Sequence, residues 1–192
     1  NYKSTRQVSL KTMIEHSKSV RMGIKKSLMV VDMPHNTYRN SKEALKNAKK
    51  IISITKCDAV KLEGGKKIYK IVKTLTKSKI PVMGHVGLLP QSDKTFKYKG
   101  KKSSERNKIL NDAKLLESAG VFSIVLECVE TSLAKKVTNQ ISIPTIGIGA
   151  SNNCDGQILV LDDLIGLNPI DVRFVKKYSN IRKEIKKAVS NY

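Results

Sequence analysis

The feature that most constrains this chain is a repeating alternation. A short apolar run ends at a polar residue or glycine, and a longer stretch follows with apolar residues every three to four positions. Ser27–Val31, Asp58–Leu62, Ile80–Met83, Phe122–Leu126, Pro144–Ile148 and Gln157–Leu161 read as strands. Between them, Ser41–Thr55 brings Ala44, Leu45, Ala48, Ile51 and Ile52 to one side of a helix. Lys66–Lys77 does the same with Ile68, Ile71, Val72 and Leu75. Ser9–Met22, Glu105–Ser118 and Thr131–Thr138 read as further helices, and Pro169–Tyr192 as mostly helical. Strands that are apolar on both faces and alternate with helices imply a parallel sheet covered on both sides.

Two architectures satisfy that pattern, an open doubly wound sheet and a (β/α)8 TIM barrel. No Gly-x-Gly-x-x-Gly follows the first strand, which weakens the dinucleotide-binding form of the open sheet. A barrel takes eight strands and about 250 residues, so the six strands read in 192 residues leave two to be supplied, and they would precede Asn1. The expected organisation is one barrel domain over residues 1–192 that lacks its N-terminal βαβ unit.

Composition narrows the function classes. The chain is 40% hydrophobic and 28% charged, as expected of a globular protein. No apolar run approaches the roughly 20 residues of a membrane helix, and Asn1–Arg6 holds no signal-peptide core. Cys57, Cys128 and Cys154 form no CxxC and no zinc spacing, which fits reduced thiols in a cytoplasmic protein. The net charge of +21 raises nucleic-acid binding. Yet the lysines are spread along the whole chain, with only three Phe and six Tyr for base stacking. A solvated basic surface is the better reading.

The strand ends carry the chemistry. Asp32, Glu63, His85 and Glu127 each close an apolar run. In a parallel barrel such ends converge on one face, where active sites lie; taken singly, each could equally begin a loop or cap a helix. Asp32 and Glu63 are suited to a hard cation such as Mg2+, which takes oxygen ligands. A 2-oxo acid could complete that coordination, and its carbonyl would be polarised. Lys61, two residues before Glu63, shares its strand face and interrupts an otherwise apolar strand, which suits it to neutralise substrate charge. Glu127 is left as a general base if burial raises its pKa. The reaction class is proton abstraction next to a carbonyl.

Several segments occur in a diagnostic order: Val31-Asp32-Met33-Pro34, Val60-Lys61-Leu62-Glu63-Gly64-Gly65, Gly84-His85-Val86-Gly87-Leu88-Leu89-Pro90-Gln91, Leu126-Glu127-Cys128-Val129, Gly147-Ile148-Gly149-Ala150-Ser151 and Asp155-Gly156-Gln157-Ile158-Leu159-Val160. Together they resemble the ketopantoate hydroxymethyltransferase family over nearly the whole chain. The third and last segments are the specific ones. The resemblance implies a (β/α)8 barrel, Mg2+, a homo-oligomer and 5,10-methylenetetrahydrofolate as one-carbon donor to 3-methyl-2-oxobutanoate (2-oxoisovalerate) in pantothenate biosynthesis. It implies that Asp32 is a metal and substrate ligand, Lys61 a substrate ligand, and Glu63 a metal-site carboxylate. It places His85 in the substrate pocket and makes Glu127 the proton acceptor. The family's Gly-Asp-Ser segment, whose Asp ligates the metal and whose Ser contacts substrate, has no equivalent here. Little or no activity is expected of this stretch alone.

Other features admit plainer readings. Gly147–Ser151 suits either an anion-binding turn or a tight turn after a strand. Cys128 is expected to turn away from the site and pack, and His16 and His35 to be structural or surface residues. The basic stretch Lys94–Arg106, with Phe96 and Tyr98, reads as a solvated loop or as an attractor for the glutamate tail of a folate. Three competing functions stand beside the main one: another Mg2+-dependent 2-oxo-acid barrel enzyme of the phosphoenolpyruvate mutase and isocitrate lyase kind, a basic module binding RNA or DNA, and a truncated inactive homologue.

Overall fold

The structure is a computed structural model that describes residues 4–93, 95, 97–170, 172 and 174–192. The parts of the sequence reading that fall on Asn1–Lys3, Lys94, Phe96, Asp171 and Arg173 lie outside the described residues. The chain divides into two compact units, 1–156 and 157–192.

The first unit alternates helices and strands: α1 (Leu10–Gly23), β1 (Val30–Asp32), α2 (Ser41–Thr55), β2 (Ala59–Glu63), α3 (Tyr69–Lys77), β3 (Val82–Gly87), α4 (Ser103–Ser118), β4 (Ser123–Glu127), α5 (Thr131–Gln140) and β5 (Thr145–Ile148). A two-residue β6 (Gly156–Gln157) follows, and the strands lie in sequential order from β1 to β6. The four ladders joining β1 to β5 are all parallel. Each helix returns the chain to lay the next strand beside the last. That is the strand order of a (β/α)8 barrel, with six of its strands found among the described residues.

Local sequence explains the elements. Asn40 caps α2 by accepting the Glu43 N–H at 2.9 Å. Ala44, Ala48, Ile51 and Thr55 then form the buried stripe. Removing a side chain such as Ile51 from water contributes roughly 1.5–3 kcal/mol. The helix ends at Lys56, whose backbone is left-handed at φ 56°. In β2, Ala59, Val60 and Leu62 are fully buried, as a strand covered on both faces requires. The outer faces of the strands meet the helices in one continuous core that includes Val60, Leu62, Val72, Leu75, Leu116, Ile124, Leu126 and Leu133. Cys57, Cys128 and Cys154 are free thiols buried in this unit.

Two elements differ from expectation by a few residues. The first strand is Val30–Asp32 rather than Ser27–Val31, because its pairing begins only where Val30 meets Ala59. The third runs on through His85 to Gly87, since Gly84, His85 and Val86 all pair with β4. His85 therefore lies within a strand rather than just past one.

The second unit holds α6 (Leu161–Leu164) and α7 (Ile181–Asn191). A strand over Gln157–Leu161 is not found: Ile158, Val160 and Leu161 are more than half exposed, and Leu161 opens α6, whose first turn contains Asp162 and Asp163. Asp163 then accepts Asn168 Nδ2 at 2.6 Å. The stretch from Pro169 to Tyr192, expected to be mostly helical, is helix among its described residues only over Ile181–Asn191. Helix begins at Ile181, where the Asn180 side chain accepts the Lys183 N–H at 3.2 Å. Among the described residues no helix is long and apolar enough to cross a membrane.

Candidate active site

In a parallel ladder, directly paired residues point to the same face, and the register here places the polar side chains of β1 to β4 on one face. Asp32 pairs with Lys61, Glu63 with His85, and Gly87 with Glu127. Lys61 and Glu63, two apart on β2, share a face, as do Val125 and Glu127 on β4. Since His85 pairs with Val125, the site face runs unbroken from β1 to β4. The five residues expected from the sequence are thus brought together.

Lys61 is the hub. Its Nζ stands 3.0 Å from Asp32 Oδ1 and 3.4 Å from His85 Nδ1. An ammonium only donates, so Nδ1 must accept and the ring proton sits on Nε2. His85 is almost wholly buried. Burial, with Lys61 adding to it, pushes its pKa down to about 3, so the ring is neutral. Its Nε2 lies 3.2 Å from Glu127 Oε2 but has no hydrogen-bond partner of good geometry among the described residues. A buried N–H left open beside a carboxylate is an unfilled donor position.

Burial dominates both glutamates. It pushes Glu127 up to about 7, with Asp32 and Asp93 reinforcing and Lys61 opposing. It pushes Glu63 up to about 7 as well, where the Gln91 N–H and Lys61 pull down and Asp32 and Glu127 push up. Three carboxyl groups thus face one ammonium and a neutral imidazole, and two of them hold their protons up to about pH 7.

The loops after the strands hold these side chains in place. Gly87 has φ 98°, and a Cβ there would overlap the Glu127 carbonyl. Only glycine allows that crossing, and it brings the Leu88 N–H onto Glu127 O at 2.8 Å. Farther on, the Gln91 N–H donates to Glu63 Oε2 at 2.9 Å. The Gln91 side chain donates to Met33 O at 3.0 Å and accepts from Tyr38 Oη at 2.8 Å. Arg6 Nε donates to Gln91 O at 2.9 Å. After Glu63, Asp112 of α4 accepts the Lys66 N–H at 2.8 Å.

Sequence reasoning quoted Gln91 only as part of a motif and missed its contacts, which depend on which backbone groups lie within reach. It also missed Glu130, which caps α5 through the Leu133 N–H and binds Arg106 Nη1 at 2.7 Å. An acidic residue just before Thr131 was the available signal. Cys128 packs as expected, buried, with a left-handed backbone at φ 50°. His16 is exposed and His35 partly buried, and neither joins the site. Within the basic stretch, Lys99 pairs with Asp93 at 3.0 Å and Arg106 with Glu130, while Lys97, Lys101 and Lys102 are exposed.

A sequence model of the family described as ketopantoate hydroxymethyltransferase matches residues 1–192. The chain belongs to the ketopantoate hydroxymethyltransferase family. A 3-methyl-2-oxobutanoate hydroxymethyltransferase of Pelagibacter ubique is 71% identical over 192 residues, which is all of this chain and 75% of the relative. One from Zymomonas mobilis is 50% identical, covering 96% of this chain and 69% of its own. Among solved structures, a putative phosphonomutase from Burkholderia cenocepacia aligns with a TM-score of 0.55 at 10% identity, over 74% of this chain and 62% of that one. That likeness concerns the fold alone. As a member of the ketopantoate hydroxymethyltransferase family the chain is a transferase.

Proposed function

We propose that this enzyme transfers a hydroxymethyl group from 5,10-methylenetetrahydrofolate to 3-methyl-2-oxobutanoate, giving ketopantoate for pantothenate synthesis in the cytoplasm, as a homo-oligomer. The observation that carries this reading is Glu127, a strand-end carboxylate raised to about 7 by burial and set beside a neutral histidine and a lysine. A general base works best with a pKa near the working pH.

In this reading the Glu127 carboxylate takes the proton from C3 of the 2-oxo acid, and the C–H electron pair moves toward the carbonyl. The resulting enolate carbon attacks the folate-borne methylene, and the new C–C bond forms as one of the two C–N bonds of that methylene breaks, its electron pair staying on the nitrogen, which takes up a proton. Water then displaces the second folate nitrogen from the same carbon and gives up a proton to it, leaving a hydroxymethyl group and tetrahydrofolate. Lys61 holds positive charge against the substrate's carboxylate or enolate. The His85 Nε2–H, 3.2 Å from Glu127 Oε2, offers a donor to a substrate oxygen.

The charge balance of the site bears on Mg2+. Burial holds protons on Glu63 and Glu127 up to about pH 7; with both ionised, three carboxylates would face one ammonium, and a divalent cation would balance the surplus. Asp32 and Glu63 are oxygen donors, and Mg2+ commonly takes one or two protein carboxylates, filling its remaining positions with water and substrate. Among the described residues no group of three or more His, Cys, Asp or Glu is arranged to hold a metal; Asp32 and Glu63 are the pair proposed for it. Bound there, Mg2+ would supply Lewis-acid polarisation of the carbonyl.

The test is turnover by protein expressed from its complete reading frame. Mg2+, 3-methyl-2-oxobutanoate and methylenetetrahydrofolate should yield ketopantoate. Glu127→Gln should lower kcat by about 10²–10⁴-fold while 3-methyl-2-oxobutanoate still binds. Near wild-type turnover in Glu127→Gln would remove Glu127 as the base.

A further inference from the structure

Gln91 belongs to none of the strands, yet it touches the ends of two of them. Its backbone N–H holds Glu63 Oε2 at the end of β2. Its side-chain Nε2 holds the carbonyl of Met33, the residue after Asp32 at the end of β1. The amide orientation is fixed by chemistry, since a carbonyl can only accept and Nε2 must therefore face Met33. Oε1 is then free to accept from Tyr38, and it does so at 2.8 Å. The residue is 6% exposed. Its own carbonyl and that of Ser92 are held by Arg6, through Nε at 2.9 Å and Nη2 at 2.7 Å. Every polar group of Gln91 thus has a partner, and the partners come from three separate segments: the stretch before α1, the β1–α2 connection and β2.

Such a residue acts as a spacer. Asp32 and Glu63 lie on adjacent strands, but the β1–β2 ladder pairs residues only as far as Asp32 with Lys61. Beyond that point the Met33 N–H still reaches Lys61 O at 2.9 Å, and Gln91 supplies the next tie between the two strand ends. We infer that Gln91 is a positioning residue, whose side chain fixes the separation of the Asp32 and Glu63 carboxylates by anchoring the β3–α4 loop to β1 while its backbone holds Glu63. This rests on the reading of Asp32 and Glu63 as a divalent-metal pair. Substitution leaves the backbone N–H in place but releases its anchor, so the effect is transmitted through Glu63. Residues that orient metal ligands in this way typically change affinity by about 10–100-fold when replaced.

The test measures Mn2+ binding to the intact enzyme without substrates, by the electron paramagnetic resonance of free Mn2+, beside thermal unfolding. Gln91→Met, which cannot donate to Met33 or accept from Tyr38, should raise the Mn2+ Kd about 10–100-fold. Gln91→Glu keeps an acceptor for Tyr38 but loses the donor to Met33, and should do the same. Tyr38→Phe removes one hydrogen bond and leaves Gln91 in place. It should weaken Mn2+ about three- to tenfold, and it carries the test if the Gln91 variants do not fold. An unchanged Kd with a lowered Tm, in whichever of these variants folds, would make Gln91 merely structural and overturn the inference. Glu63→Gln is measured alongside. If it loses Mn2+ while Gln91→Met binds normally, the role of Gln91 alone falls. Normal binding in both overturns it together with the metal reading.

Discussion

Replacing Gly65 with alanine should cost about 3 kcal/mol, and the cost should almost vanish when Asp112 is also removed. Gly65 lies two residues past Glu63, and a Cβ there would overlap the Cβ, Cγ and Oδ1 of Asp112. Asp112 is 8% exposed, with its carboxylate on the Lys66 N–H at 2.8 Å and 3.3 Å from Lys108 Nζ. The methyl group would force that carboxylate out. A hydrogen bond to an ionised acceptor contributes about 1.5–3 kcal/mol, and the exposed Lys108 pair adds roughly 0.3–0.5 kcal/mol. Overpacking in general costs about 1–3 kcal/mol. These figures describe one displacement, so they are not summed. For a chain of this size about 3 kcal/mol lowers Tm by about 6–12 °C, which thermal unfolding followed by circular dichroism resolves easily. Asp112→Ala alone should cost about 2 kcal/mol by loss of the same bond. In that background Gly65→Ala should cost under about 1 kcal/mol, a coupling of about 2 kcal/mol. Two penalties that add within about 0.5 kcal/mol would refute the clash as the source.

Three further outcomes are expected. Turnover should rise with pH around an apparent pKa of about 7, because Glu127 must lose its proton to act and burial holds that proton on; Glu127→Asp or added Mg2+ should shift this limb, and a limb unmoved by any change at Glu127 would assign it elsewhere. Glu130 is held down to about 2 by Ser132 and Arg106. Its contribution to stability should therefore be complete above its ordinary value near 4.5 and fade as pH falls toward 2, and Glu130→Gln should flatten that part of an acid-unfolding curve. Lys56 closes α2 with a left-handed backbone, so Lys56→Val should lose about 1–2 kcal/mol and Lys56→Gly gain about 0.5 kcal/mol in urea unfolding.

How much of this was legible in the sequence depended on the kind of interaction. Helix α2 could be read over its full range, Ser41–Thr55, because the spacing of Ala44, Leu45, Ala48, Ile51 and Ile52 is a local signal; the Asn40 cap and the left-handed Lys56 were seen only in the structure. Lys61 could be singled out because a charge inside an apolar strand is conspicuous. The apolar run Ile158–Leu161 misled, since periodicity cannot tell a buried strand from apolar residues left exposed. The expected helix from Pro169 failed at its start for a related reason: the spacing of Ile181, Ile185 and Val189 marks a helix face but not where the helix begins, which Asn180 decides. Within the site, side chains announced themselves through strand ends. The backbone donors did not. The Gln91 N–H on Glu63 and the Leu88 N–H on the Glu127 carbonyl are set by loop paths that no residue type specifies.

The three buried cysteines have a practical consequence. Cys57 joins α2 to β2, Cys128 follows Glu127, and Cys154 comes just before β6. Burial raises the pKa of all three thiols, that of Cys128 to about 11. A thiol reacts with an alkylating reagent only as an accessible thiolate. Each should therefore stay silent until its own surroundings open, and under native conditions the labelling rates become three independent clocks. Their order reads out, without any mutation, whether the sheet comes apart from its β1–β2 side, at the end of β4 beside the candidate site, or at the last turns before β6.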